Sequence, residues 1–184
     1  MDKVEIASHF PRLKKCTAKH VILVSLASLL LSCTKAPAPY SWSLPHNVPI
    51  PLIPEDNPMT EEGIKLGKKL FYDPLLSGDN TMSCSDCHLQ ISSFANNSQY
   101  NIGIDGISGN RNAMALINLA WSKDFNWNGS ISDLESQAFE PVINPIELHS
   151  LNWKEVSSKL MQSEEYKDLF ELAFNTRIID STNV

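Results

Sequence analysis

The chain has 184 residues, 42% of them hydrophobic, and a formal net charge of -6 at pH 7. That length holds one domain with a sizeable core, and the acidic balance argues against nucleic acid as a partner. Four cysteines and five histidines are few enough that their positions carry information.

In chain order, residues 1–32 read as a targeting segment. Arg12, Lys14, Lys15 and Lys19 precede an apolar run from Val21 to Leu31, too short to span a bilayer and fitting a signal peptide. Leu30-Leu31-Ser32-Cys33 resembles the lipobox of bacterial lipoproteins. That resemblance implies lipidation at Cys33, a periplasmic location and membrane attachment through the lipid alone; an ordinary secretory signal is the alternative. Loss of residues 1–32 removes five basic and two acidic residues, taking the net charge to -9. Residues 33–58 read as a proline-rich linker, since seven of the eleven prolines lie between Thr34 and Pro58, the composition of an extended tether. Apolar residues such as Leu52 and Ile53 predict that its second half packs along the domain.

Residues 59–184 read as the domain itself. Thr60 is placed to cap a helix with Glu61 and Glu62 in its first turn, Ile64, Gly67 and Phe71 on one face, and Asp73-Pro74 as its stop. Ser77 to Asn80 reads as a turn. Met114, Ile117 and Trp121 stand at helical spacing and predict a helix over 111–121. Ser132-Asp133-Leu134-Glu135 has the capping-box form and opens a helix that Pro141 is expected to stop. Asn152 opens another with Trp153, Val156 and Leu160 on one face, and Ser163 opens a last one facing Tyr166, Leu169, Phe170, Ala173 and Phe174 inward. Gly103, Gly106 and Gly109 fit a turn-rich loop rather than a phosphate site. No alternating strand pattern competes, so the fold class is all-α with long loops.

Cys84-Ser85-Asp86-Cys87-His88 carries the chemistry. On one helical turn, positions i, i+3 and i+4 share a face, so two thiols can reach the vinyl edge of a porphyrin while the imidazole turns to its iron. C-x-x-C-H is therefore read as the attachment site of one covalent haem c, with His88 as iron ligand. A thioredoxin-like redox pair lacks its βαβ context here, and a zinc site would need His46 and His149 as well. The iron is either closed by Met114 or Met161, giving a mono-haem electron-transfer cytochrome, or left open for catalysis.

A resemblance bears on that choice. Leu66 to Pro74, Leu76-Ser77-Gly78-Asp79, Cys84 to His88, Gly109 to Ala113 with its G-x-R-N form, Asn126-Trp127-Asn128-Gly129, Ser136-Gln137-Ala138, Pro141 and Pro145-Ile146-Glu147 appear in fixed order. Together they resemble the N-terminal, peroxidatic haem domain of bacterial di-haem cytochrome c peroxidases and the related methylamine-utilisation enzymes. The resemblance implies a cytochrome c-like haem domain that reduces hydrogen peroxide to water with electrons from a c-type cytochrome or similar donor. It further implies His88 as proximal ligand, Gln137 and Glu147 in the distal pocket, Trp127 between two haems, and Asn112 on a calcium ion. A carboxylate near the iron suits proton transfer between the oxygens of peroxide, and Gln137 suits holding it by hydrogen bonds.

Three departures shape the expectations. Ile104 stands where the family has a loop histidine that blocks the iron, so no reductive activation is expected. Asn128 and Ser130 replace an Asp and an Arg near Trp127. The second haem domain of the family is expected to be absent from this chain, which predicts peroxide binding with poor turnover from a cytochrome donor, or a non-functional remnant.

Overall fold

The computed structural model describes residues 36–183; the signal segment and Cys33 lie outside the described residues. The described residues are helical, with only four isolated antiparallel bridges, Pro39 to Thr60, Leu89 to Ala95, Ile102 to Ser108 and Phe125 to Ile131. The helices are α1 (Glu61–Tyr72), α2 (Cys84–Cys87), α3 (Leu134–Ile143), α4 (Trp153–Leu160) and α5 (Glu164–Phe174).

Each long helix begins on a side-chain cap. The Gly63 amide donates to Thr60 Oγ1, the Ser136 amide to Asp133, the Glu155 amide to Asn152 and the Tyr166 amide to Ser163. These bonds satisfy N–H groups that have no partner inside the helix. The cap of α3 is thus Asp133, one residue after the expected Ser132.

α1 and α5 pack against each other, and the core gathers Leu66, Leu76, Val142, Leu148, Val156, Leu160, Tyr166, Phe170, Ala173 and Ile179. On α1 the core side is Leu66 with Leu70, not the predicted Ile64, Gly67 and Phe71. That stripe lies around the helix, and Phe71 meets Phe94 edge-on with ring centroids 6.0 Å apart. α1 serves two neighbours, so a single periodicity could not locate its buried face.

Two further expectations are corrected. Residues 111–121 form no α-helix; only Leu119–Trp121 makes a 3-10 turn, behind Asn118 at φ 56°. The backbone of this stretch is committed elsewhere: the Met114 carbonyl takes His88 Nδ1 and the Leu116 amide donates to the Phe94 carbonyl. α3 runs through Pro141 to Ile143. Its last turn is held from outside, since the Leu148 amide donates to the Pro141 carbonyl and the Ser150 amide to the Val142 carbonyl, offsetting the loss of the proline donor.

The segment before α1 is fastened at points in both halves, but not through Leu52, which stands 97% exposed where packing was expected. Ala38 donates to Glu62 Oε2 at 2.7 Å, Tyr40 donates to the Met59 carbonyl at 3.0 Å, and Trp121 Nε1 donates to the Pro49 carbonyl at 2.9 Å. Tyr40, Trp42 and Trp121 form an edge-to-face series.

The approach to Cys84 turns on Ser77, which is fully buried. Its hydroxyl donates to the Pro74 carbonyl at 2.9 Å and accepts the amides of Thr81 and Met82. Lys159 Nζ donates to the Ser77 and Gly78 carbonyls, and Ser150 Oγ to the Leu76 carbonyl. Ser77→Ala removes these bonds and a longer one to Asp79 Oδ1 at 3.4 Å and strips Met82 of its acceptor; a loss of about 1–3 kcal/mol is expected, measured by urea unfolding.

Candidate functional site

α2 is the helical turn Cys84–Cys87, and the Asp86 carboxylate accepts the Ser83 amide in front of it at 2.7 Å. His88 follows as C-cap, its amide donating to the Cys84 carbonyl at 3.0 Å. Both thiols are free and half-buried.

The His88 ring is oriented by backbone. Nδ1 lies 2.9 Å from the Phe94 carbonyl and 3.0 Å from the Met114 carbonyl. A carbonyl only accepts, so two carbonyls on one ring nitrogen assign it the proton and leave the Nε2 lone pair free for a metal. The Phe94 carbonyl is turned inward by Ser93 and Phe94, both left-handed at φ 58° and 56°, a conformation costly for residues with a β-carbon.

Burial pushes the Cys84 thiol up to about 11, and burial followed by Glu147 raises Cys87. A redox C-x-x-C works through a thiol lowered toward neutrality, so this pair has the opposite character. The charge of Glu147 adds to the rise at both thiols. Among the described residues no group of three His, Cys, Asp or Glu side chains could hold a metal ion, so the pair has no zinc companions there.

Glu147 lies in the turn after α3. Asn144 Nδ2 donates to its Oε1 at 3.1 Å. The residue is solvent-accessible, yet protein crowds the carboxyl enough that desolvation raises its pKa, opposed by the Asn144 bond and reinforced by Glu140. Gln137 stands on α3, and its Oε1 is the one buried side-chain polar atom among the described residues without a partner. An orphaned acceptor of this kind costs free energy unless something supplies a donor.

The structure therefore brings Cys84, Cys87 and His88 together on one turn, with Glu147 in the turn after α3. Asn112 and Trp127 form a second group: Trp127 Nε1 donates to the Asn112 carbonyl at 2.8 Å, and the Trp127 ring is 58% exposed. Asn112 Nδ2 is spent on the Asn96 and Ser98 carbonyls, so only its amide oxygen remains for a cation. Asn128 Oδ1 accepts the Ser130 amide. Ile104 reaches the Gly78 turn, its Cδ1 3.5 Å from where a β-carbon on Gly78 would stand. The Phe94 and Met114 carbonyls and Asn144 were not anticipated; backbone acceptors have no side-chain signature in a sequence.

Two thiols on one turn, an imidazole with its Nε2 lone pair directed by two carbonyls, and an unpartnered polar atom fit a covalently held haem. The class that this fold and site define is borne out by comparison: residues 61–184 match the family model of di-haem cytochrome c peroxidases, and the chain belongs to that family. Among its relatives, it is 34% identical over 124 residues to the cytochrome c peroxidase Ccp of Escherichia coli K12, covering 67% of this chain and 27% of that protein. With the methylamine utilization protein MauG of Methylorubrum extorquens it shares 33% over 134 residues, 73% of this chain and 36% of that one. A solved MauG-like protein associated with microbial copper homeostasis superposes with a TM-score of 0.70 at 37% identity, over 74% of this chain and 40% of that chain. The diheme peroxidase BthA of Burkholderia thailandensis E264, at 21% identity and a TM-score of 0.59 over 64% of this chain and 33% of its own, shares the fold. The chain spans well under two thirds of each of these proteins.

Proposed function

We propose that this chain holds one haem c through Cys84, Cys87 and His88 and reduces hydrogen peroxide to water at its open face, using electrons from a c-type cytochrome or similar donor. The observation that carries the reading is His88, whose Nδ1 is committed to two carbonyls and whose Nε2 is free. The haem supplies the iron that binds peroxide and the electrons that cleave its O–O bond. Glu147 takes a proton from the near oxygen at its carboxylate and returns it to the far oxygen as water leaves. Gln137, with Oε1 unpartnered, accepts a hydrogen bond from peroxide and orients it. Two electrons and two protons per peroxide give two waters.

Electron-transfer cytochrome function with a methionine sixth ligand is the weaker reading. The Met114 carbonyl is held by His88 Nδ1, which ties that residue's backbone to the nitrogen that would not bind iron. Met161 packs against the core cluster. Ile104, directed to the Gly78 turn, has no atom that ligates iron.

The 184 residues contain one C-x-x-C-H, so in this proposal the second haem of the family, with Trp127 facing it, belongs to other residues. The domain works on the exported side, residues 1–32 acting as signal, lipid on Cys33 as anchor and residues 33–58 as linker. The Asn112 amide oxygen is the atom a calcium ion would take; no step depends on it.

The haem-loaded ferric chain should show a high-spin spectrum that hydrogen peroxide changes without prior reduction. A low-spin ferric spectrum indifferent to peroxide would overturn the peroxidase reading in favour of the carrier.

A further inference from the structure

The stretch that carries Glu147 is gripped from two sides. On one, the Gly78 amide donates to the Leu148 carbonyl at 2.7 Å, and a β-carbon on Gly78 would stand 2.5 Å from the His149 carbonyl oxygen. On the other lies the loop 102–109. Ile104 donates to the Glu147 carbonyl at 3.0 Å. A β-carbon on Gly103 would stand 2.1 Å from the Ile146 carbonyl oxygen and 2.6 Å from that of Glu147, so only glycine permits the approach. Beyond these contacts, Asp105 Oδ2 pairs with His149 Nδ1.

The loop is itself closed. Gly109 donates to the Asn101 carbonyl at 2.8 Å and Gly103 to the Ile107 carbonyl at 3.1 Å, with Gly106 at φ 71° making the turn. It can therefore act as one body against its neighbour. Glu147, by contrast, has a single side-chain hydrogen bond, from Asn144, and depends on its backbone for direction.

We propose that Asp105 and His149 form a clasp that positions Glu147: by locking the loop 102–109 onto the Glu147 stretch, the pair fixes where the carboxyl points. The proposal rests on the reading of Glu147 as the proton-moving group. The two tie points flank it, Ile104 on the Glu147 carbonyl and Asp105 on His149 two residues later. Release of the pair leaves the loop free to pivot about the Ile104 bond, and the carboxyl turns toward water.

Both partners are nearly half exposed, and such pairs contribute little to stability. Variants at either position should therefore fold, and what they change is geometry. The groups bearing on the Glu147 carboxyl are Asn144 and Glu140 from α3 and its following turn, and its charge is felt by the two cysteines of α2. The cysteines carry no charge as thioethers, so Glu140 is the standing charge next to it.

Cyanide binding to the ferric, haem-loaded full chain tests the clasp without turnover, because HCN must give up a proton to a nearby base as it binds. Its association rate is measured against pH for the parent chain, Glu147→Gln, Asp105→Asn, His149→Gln, and the exchange of Asp105→His with His149→Asp. Each single clasp variant is expected to bind cyanide about tenfold more slowly. Each should also move the inflection of the pH profile to lower pH, as the loosened carboxyl regains water. The exchange should restore both. If Glu147→Gln binds cyanide as fast as the parent, or the parent binds none, the reading of Glu147 fails. If Glu147→Gln is slow while both clasp variants keep the parental rate and inflection, the clasp alone is overturned.

Discussion

Glu147→Gln should react with hydrogen peroxide about 100- to 10,000-fold more slowly than the parent chain, read as the second-order rate of the spectral change in stopped flow. Glutamine keeps an oxygen for the Asn144 donor at 3.1 Å and has nearly the same volume, so the change removes proton capacity and little else. The pH dependence has a defined sign. Desolvation raises the pKa of this carboxyl, and only the ionised form accepts a proton. The parental rate should therefore be flat on the alkaline side and fall as the pH drops through that raised pKa, while the variant shows no such inflection. The same shift acts on the fold before haem is attached. An unfolded chain returns the carboxyl to its ordinary pKa, so ionised Glu147 costs stability at neutral pH; the cost fades as the pH falls through the raised folded pKa and is gone below the unfolded value.

Phe170→Ala should cost about 3–5 kcal/mol, a large share of the roughly 5–15 kcal/mol that holds a domain together. Phe170 is completely buried, with Val156 and Leu160 equally inaccessible and Phe174 6.0 Å away, ring to ring. Its removal opens a cavity where α5 meets α1. That junction also carries Tyr166, whose hydroxyl donates to Asp73 at 2.6 Å, and Asp73 caps the 3-10 turn leading to Ser77. Urea unfolding measures the loss as a lower midpoint with an unchanged slope. The yield of covalently attached haem should fall with it, because His88 is oriented only in the folded chain.

Side chains that act on their own neighbours were legible in the sequence. Thr60, Asn152 and Ser163 cap helices where their spacing places them, and the helix after Ser163 buries Tyr166, Phe170 and Ala173, with Leu169 half-buried and Phe174, also expected inward, left exposed at its end. What failed was local pattern overruled by distant partners. The spacing of Met114, Ile117 and Trp121 is helical, but the Met114 carbonyl belongs to His88, 26 residues earlier. Pro141 has the chemistry of a helix stop, yet the Leu148 and Ser150 amides hold the turn it would break. At the site, C-x-x-C-H could be recognised because its chemistry lies within five adjacent side chains. The carbonyls on His88 and the Asp105–His149 pair, 44 residues apart, required the fold.

The fastening of residues 38–61 also governs how the domain bears load. Any pull transmitted from the chain upstream of Ala36 meets first the bond from Ala38 to Glu62, then the paired bonds of Tyr40 to Met59 and Glu61 to Ala38. Tension is therefore delivered to the first turn of α1, the helix seated on α5. Because α1 also rests on the turn Cys84–Cys87, the N-terminal lacing stands between such a pull and the turn that aims the imidazole.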